Sequence, residues 1–156
     1  MEIQVFDYNN NKKKMHFYEH KSGLKTFIIP KKDYYKKFAA IGTYFGSINN
    51  SFQPPGENEI VNVPDGVAHF LEHKLFQQED GDVMEKFSSL GASPNAYTGF
   101  NQTVYHFSCA ERFGENFKLL IDFVQNPYIT KESVEKEKGI IGQEIKMYED
   151  DPGWRV

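Results

Sequence analysis

The stretch VAHFLEHKLF, residues 67–76, carries two histidines four positions apart and a glutamate directly before the second histidine. This stretch is predicted to form a helix that starts near Val67. Because a helix turns by about 100° per residue, His69 and His73 point from one face, one turn apart. Two imidazoles in this arrangement can bind a single zinc ion.

The glutamate of this stretch, Glu72, lies about 80° to one side of the direction midway between the histidines. The familiar HExxH zinc-binding helix places its glutamate about 80° to the other side, so the two motifs are near mirror images. Either arrangement sets a carboxylate beside an open zinc position, where it can take a proton from a water whose pKa the metal lowers to about 7. In the alternative interpretation, His69 is a polar residue at the edge of the core, and Glu72 and His73 form a solvated pair.

A third ligand is needed, because catalytic zinc sites usually have three protein ligands and a water. The last predicted helix contains a stripe of residues, at spacings of three and four, that should face the core. The stripe consists of Val134, Glu137, Ile141, Glu144 and Tyr148. A carboxylate on a core face is costly unless a cation or a hydrogen-bond donor meets it, so zinc can bind one glutamate while the other orients a ligand. In the alternative, both glutamates lie at the margin of the stripe and pair with Lys136, Lys138 or Lys146.

Strands and helices are predicted on either side of the histidine stretch. Segments rich in β-branched and aromatic residues are predicted to be strands at 24–30, 37–47, 92–98 and 103–109, the last two forming a hairpin. A long polar loop covers 49–66. Further helices are predicted over Asp82–Leu90, with Asp82 as N-cap and Gly91 at the end, over Phe113–Val124, and from after Thr130 to about Glu149, with a stop at 150–153. These elements indicate an α+β domain, with helices packed on a largely antiparallel sheet.

Composition narrows the classes of function. A chain of 156 residues is expected to form one domain or a large part of one. Its net charge of −4 argues against nucleic-acid binding. The N-terminus does not resemble a signal peptide, and no segment reaches the roughly 20 apolar residues of a membrane span. The single cysteine, Cys109, favours a reducing compartment. The sequence therefore predicts a cytoplasmic protein that binds neither nucleic acid nor a membrane.

Three blocks, in order, carry a resemblance to a known family: VAHFLEHKLF, GASPNAYTGFNQTVYHF and VEKEKGIIGQE. They resemble the pitrilysin/insulinase zinc metallopeptidases, the inverzincins, a group that includes the mitochondrial processing peptidases. GLKTFIIP and the strand that ends in YFGS fit as well, and LEHKLF is similar to a bacterial cytoplasmic, processing-peptidase-like branch. The resemblance implies the fold of the family's N-terminal domain. It also implies a zinc-dependent endopeptidase that cleaves peptides or small unfolded proteins.

Site residues follow from the resemblance by position. It implies that His69, His73 and Glu144 bind zinc and that Glu72 is the general base of catalysis. Glu144 lies far downstream of His73, and the family uses a long spacer of this kind. Glu137 matches a second family glutamate, which supports the catalytic site without being a main ligand.

The resemblance extends to the substrate and to the rest of the chain. Asn95, Ala96 and Tyr97 match the block whose strand edge takes the substrate peptide as an added β-strand. Family members have further domains that close over the substrate, so residues 1–156 are expected to be an N-terminal catalytic domain truncated from a longer chain. A homodimer, or a heterodimer with a related subunit, is compatible with the family.

Two other interpretations stay open. One is a non-proteolytic peptide-binding subunit or fragment of a heterodimer; the intact H-x-x-E-H motif counts against it, because inactive relatives usually lack that motif. The other is a structural zinc domain. Structural sites normally use four protein ligands, often cysteines, and Cys109 alone does not supply that pattern.

Overall fold

The structure is a computed structural model that describes residues 3–8 and 13–149. The chain falls into two compact units, and the boundary lies between Tyr35 and Lys36. In the described part of the chain, no helix is both long enough and apolar enough to cross a bilayer. The predicted stop of the last helix, at residues 150–153, lies outside the described residues.

The first unit contains a small antiparallel sheet. Its strands are β1 (Gln4–Tyr8), β2 (Lys13–Glu19) and β3 (Lys25–Ile28), in the order β1-β2-β3. Gly23, with a φ of 85°, takes the left-handed conformation that the turn before β3 requires. The Phe17 ring lies between those of Phe6 and Phe27 on one face of the sheet, with centroids 6.4 and 5.0 Å away and the ring planes tilted. The third strand lies within the predicted strand 24–30.

The second unit confirms the predicted α+β fold class. Its elements, in chain order, are β4 (Lys37–Thr43), β5 (Ser51–Phe52), β6 (Val61–Asn62), α1 (Val67–Leu75), β7 (Gln77–Gln78), β8 (Gly81–Asp82), α2 (Val83–Ser89), β9 (Ala92–Thr98), β10 (Thr103–Cys109), α3 (Phe113–Gln125) and α4 (Lys131–Glu149). The main sheet is antiparallel in the order β4-β10-β9, which makes β9 an edge strand among the described residues. Helices α1, α2 and α3 pack against this sheet, and α4 packs against α1. Two short pairs, β5–β6 and β7–β8, form separate ribbons, the first inside the predicted loop 49–66.

The hydrophobic core lies between these helices and the main sheet. Side chains of β10 alternate, and Tyr105, Phe107 and Cys109 are buried on the face that the helices cover. Phe76, directly after α1, lies 5.9 Å from the Tyr105 ring and 5.3 Å from the Phe123 ring of α3. Burying an aromatic side chain of this size contributes about 1.5–3 kcal/mol, so the core holds the end of α1 against β10.

The four predicted helices are confirmed, with bounds close to the predicted ones. Asp82 caps α2 as predicted, since its carboxylate accepts a hydrogen bond from the Met84 amide at 2.7 Å. Gly91 follows this helix with a φ of 73°, the left-handed conformation expected at a helix end.

The predicted strand 37–47 is longer than the observed one, which ends at Thr43. The chain turns at Gly46, where it meets the turn between β9 and β10. A Cβ atom at Gly46 would lie 2.5 Å from both the Gln102 amide nitrogen and the Gly99 carbonyl oxygen. Only glycine permits this approach. The end of the predicted strand therefore contacts the backbone of the turn between β9 and β10 and does not pair in the sheet.

Candidate metal centre

Helix α1 presents His69 and His73 on one face, one turn apart. Their Nε2 atoms lie 3.1 Å from each other, and the two rings meet edge to face with centroids 4.6 Å apart. The side chains are 39% and 27% exposed, respectively, so the pair is open to solvent on one side. Because both Nε2 atoms face the same point, a single cation there would satisfy the lone pairs of both rings.

Helix α4 brings Glu144 to this point. Its Oε2 atom lies 3.9 Å from His69 Nε2 and 3.5 Å from His73 Nε2. The three ligand atoms all lie within 4.8 Å of one another, and the described residues contain no second trio of His, Cys, Asp or Glu of this kind. Two segments far apart in the chain therefore meet at one small group of nitrogen and oxygen atoms.

The donor set and its spacing fit a zinc ion. Four ligands of a tetrahedral zinc, each about 2.0–2.1 Å from the metal, lie about 3.3–3.4 Å from one another. The observed separations run from 3.1 Å between the imidazoles to 3.9 Å for the longer contact of Glu144. Two imidazoles and one carboxylate also leave a fourth position open, as in catalytic zinc sites.

A second glutamate of α4, Glu137, contacts His73 at Nδ1, the ring nitrogen that does not face His69. It is 2% exposed, and its Oε1 lies 3.2 Å from His73 Nδ1. Its Oε2 accepts a hydrogen bond from Gln77 Nε2 at 2.5 Å. With a proton on Nδ1 directed at Glu137, the His73 Nε2 lone pair faces the other ligand atoms. The alternative pairing of Glu137 with Lys138 is wrong, because the Lys138 ammonium instead lies 2.8 Å from Glu135.

Lys74, the residue after His73, is 0% exposed. Among the described residues its Nζ has no hydrogen-bond partner, and it lies 5.8 Å from the centre of the Tyr128 ring. Burial lowers the pKa of Lys74; the negative charge of Glu137 opposes this shift, and Lys136 adds to it. No pattern in the sequence predicts this buried lysine, since its burial depends on how α1 packs against α4.

Glu72 points from α1 toward the end of β9. Its Oε2 accepts a hydrogen bond from Thr98 Oγ1 at 2.5 Å, and both side chains are partly buried. The hydroxyl of Tyr105 lies in the same region: burial raises its pKa, and the negative charge of Glu72 adds to the rise. Thr98 was not among the residues that the sequence singled out, because its partner is set by the packing of a helix on a sheet.

Asn95, Ala96 and Tyr97 lie together on edge strand β9. Asn95 and Tyr97 are exposed, whereas Ala96 is partly buried on the opposite face, as alternation along a strand requires. The Ala96 amide donates to the Asn95 side-chain oxygen at 2.9 Å. Residues directly opposite each other in an antiparallel pair alternate between hydrogen-bonded and non-hydrogen-bonded positions. Because β9 pairs with β10 on one side only, alternate backbone groups of β9 face the edge that no described strand occupies.

The sequence is similar to those of known zinc proteases and processing peptidases. The family model described as Insulinase (Peptidase family M16) matches residues 59–155. The chain is 51% identical over 154 residues to the uncharacterized zinc protease YmfH of Bacillus subtilis strain 168, covering 99% of this chain and 36% of that protein. It is 35% identical over 98 residues to the mitochondrial-processing peptidase subunit beta of Mus musculus, covering 60% of this chain and 19% of that protein. The chain thus spans about a third, or less, of the length of these relatives.

Solved structures share the fold. A crystal structure of an M16-like peptidase from Alicyclobacillus acidocaldarius matches with a TM-score of 0.86 and 37% identity, covering 96% of this chain and 35% of that one. Pitrilysin matches with a TM-score of 0.70 and 18% identity, covering 93% of this chain and 16% of that one. At 18% identity, the likeness to pitrilysin concerns the fold alone.

Proposed function

Because the chain belongs to the insulinase family of peptidases, family M16, we propose that it is the zinc-binding catalytic part of an endopeptidase. The substrates are peptides or small unfolded proteins. The observation that carries this proposal is the convergence of two imidazoles of α1 and one carboxylate of α4 within 4.8 Å. Zinc is the metal that this family uses, and His69, His73 and Glu144 are the residues that would hold it.

Bound there, zinc would act as a Lewis acid on the substrate carbonyl and lower the pKa of a water to about 7. The residues of the chain supply the proton transfers and the orientation. Glu72 is proposed as the general base that takes a proton from the attacking water and as the acid that returns it to the leaving amine. The position of Glu72 supports this role, because it directly precedes His73 on α1 and its carboxylate accepts a hydrogen bond from Thr98.

Glu137 is proposed to act through His73. The buried carboxylate keeps the Nδ1 proton of His73 in place and so leaves Nε2 free as a ligand. Gln77 occupies the other carboxylate oxygen and restricts its rotation. Glu137 thus supports catalysis as a positioning residue.

The substrate is proposed to bind along β9. A peptide that adds as a strand at this edge gains backbone hydrogen bonds, and side-chain pockets select it. Asn95, Ala96 and Tyr97 are the residues proposed to make these contacts. The outward-facing backbone groups of β9 and the exposed Tyr97 side chain support this placement.

The larger assembly is also a proposal. The curated relatives are about three times as long or longer, so residues 1–156 are proposed to act as the N-terminal catalytic domain of a longer chain. A homodimer, or a heterodimer with a related subunit, is the proposed quaternary state, and the mitochondrial relative is itself named as a subunit. The free, buried thiol of Cys109 supports a reducing compartment such as the cytoplasm.

The test combines metal analysis with a cleavage assay on the full-length protein. Elemental analysis is expected to find about one zinc per chain, as three protein ligands and an open position require. A quenched fluorescent peptide should be cleaved, a chelator should abolish cleavage, and added zinc should restore it. A zinc-loaded protein that binds unfolded peptides and leaves them intact would instead support the non-proteolytic binding subunit.

A further inference from the structure

The last residue of β9, Thr98, connects the proposed substrate strand to the proposed base. Its hydroxyl donates to Glu72 Oε2 at 2.5 Å, across 26 positions of sequence. A hydrogen bond from a hydroxyl to a carboxylate is short and about twice as strong as one between neutral groups. This hydrogen bond joins the Glu72 carboxylate of α1 to the main sheet.

The register of the sheet explains why Thr98 reaches Glu72. Thr98 lies opposite Thr103 of β10, whose side chain is buried on the face that the helices cover. Thr98 therefore points toward α1, while its neighbour Tyr97 points to the other face. The Gly99 amide bonds to Gln102 O across the hairpin, so the next pair, Thr98 and Thr103, is a non-hydrogen-bonded one. The backbone groups of Thr98, like those of Ala96, therefore face the open edge of β9. One residue thus faces the base with its side chain and the proposed peptide with its backbone.

The position of Thr98 is held on both sides. Before it, β9 pairs with β10 along its length. After it, the Gly99 amide donates to Gln102 O at 2.8 Å, and Gly99 O accepts from the Ser47 amide at 3.0 Å. The close approach of Gly46 allows this second contact. A threonine side chain also has few rotamers, so a backbone held in this way fixes the hydroxyl.

We propose that Thr98 is a positioning residue of the reaction, which holds the Glu72 carboxylate in the orientation needed to take a proton from the attacking water. A glutamate side chain has three torsions, and only a small part of its rotamer space faces the open metal position. The hydrogen bond from Thr98 restricts these torsions, and β9, the proposed substrate strand, sets the position of the donor. This inference rests on the proposed peptidase function and adds a residue to it.

The test compares three variants of the zinc-loaded, full-length protein. Thr98→Val keeps the branched shape and removes the donor, whereas Thr98→Ser keeps the donor. Thr103→Val is the matched control, because Thr103 lies opposite on the same face but donates to the Phe45 carbonyl at 2.8 Å. The readouts are kcat and KM on a quenched fluorescent peptide, zinc per chain, and Tm.

Thr98→Val is expected to lower kcat by about 10–100-fold, with KM changed by less than about threefold and zinc content unchanged. Thr98→Ser should retain kcat within about fivefold. Thr103→Val should lower Tm and leave kcat within about twofold. In a Glu72→Gln background, Thr98→Val should cause no further loss, because the two residues act as one unit.

Three results would overturn the inference while the proposed function stands. They are a Thr98→Val enzyme as active as wild type, equal losses in the valine and serine variants, and a loss that appears in KM or zinc content with kcat unchanged. If the zinc-loaded wild type cleaves no peptide, the proposed function itself fails and the role of Thr98 fails with it.

Discussion

At the scale of single residues, the site depends on which atoms of Glu72 and His73 form hydrogen bonds with neighbouring side chains. Glu72 and His73 are adjacent on α1, yet one is held by Thr98 of the sheet and the other by Glu137 of α4. The contact with Glu137 leaves His73 Nε2 free to face His69 and Glu144, and the contact with Thr98 restricts the Glu72 carboxylate. Substitutions that change a charge or a donor while keeping the shape therefore separate the roles of these residues.

Glu72→Gln tests the proposed base. Glutamine has the size of glutamate and cannot take a proton, so cleavage should fall by at least about 10²-fold while zinc stays bound. Peptide cleavage and metal analysis on the same preparation measure both effects. Glu79→Gln, which removes the same charge from an exposed residue of this region, is the control and should be neutral. Undiminished hydrolysis by the Glu72 variant would refute the role.

Glu137→Gln tests the carboxylate behind His73. The amide keeps the volume and loses the negative charge that holds the imidazole proton, so zinc affinity should fall by about 10–100-fold. Competition with a chromophoric chelator measures this affinity. The control is Glu135→Gln, at an exposed position of the same helix where the carboxylate pairs with Lys138. Equal zinc affinity in the two variants would show that Glu137 does not act through the ligand.

At the scale of secondary-structure elements, the site requires α1 to lie at a set position between β9 and α4. The core around Phe76 holds the C-terminal end of α1. The loop after β4 holds the turn that follows β9, through hydrogen bonds of the Ser47 and Ile48 amides to Gly99 O and Phe100 O at 3.0 Å each. The loop at Gly46 thus controls where Thr98 lies.

Gly46→Ala tests this backbone contact. The added methyl group would meet three backbone atoms at 2.5–2.6 Å, so the loop or the turn must shift. We expect a loss of about 1–3 kcal/mol in the free energy of unfolding, measured by denaturant titration. Gly114→Ala is the matched control, since a Cβ at that helical position meets nothing within 4 Å; it should be neutral or slightly stabilising. A Gly46 variant as stable as wild type would contradict the prediction.

At the scale of the whole molecule, the proposed ligands join two helices that are far apart in the chain. His69 and His73 belong to α1 and Glu144 to α4, so a metal bound by all three would be bound by the folded protein and not by the unfolded chain. Binding of this kind stabilises the fold by mass action. Metal content and thermal stability should therefore change together.

Zinc is expected to raise Tm by several degrees, since free zinc at one hundred times Kd adds about 2.7 kcal/mol of stability. Differential scanning fluorimetry with and without a chelator measures the change. Glu144→Gln, which removes the contribution of α4, should reduce the zinc-dependent rise and leave the Tm of the chelated protein nearly unchanged. A zinc-dependent rise of equal size in this variant would exclude Glu144 as a ligand.

Much of the fold follows from local patterns. Helical spacing of residues predicts the face of α4 that carries both glutamates, and the caps Asp82 and Gly91 predict the ends of α2. The hairpin of β9 and β10 follows in the same way from extended runs on either side of a turn. Such patterns are reliable because each depends on residues a few positions apart, whose relative orientation the backbone geometry sets.

The sequence by itself determined that His69 and His73 share a helix face and that Glu137 and Glu144 share another, because helical spacing alone decides both. Only the tertiary structure decided that these faces meet, that Thr98 reaches Glu72, and that Lys74 is buried beside the site. The same holds for the strand that ends at Thr43, where a contact with a distant turn overrides local preference. Each of these features depends on the register of the sheet and on how helices pack, which no short stretch of sequence encodes.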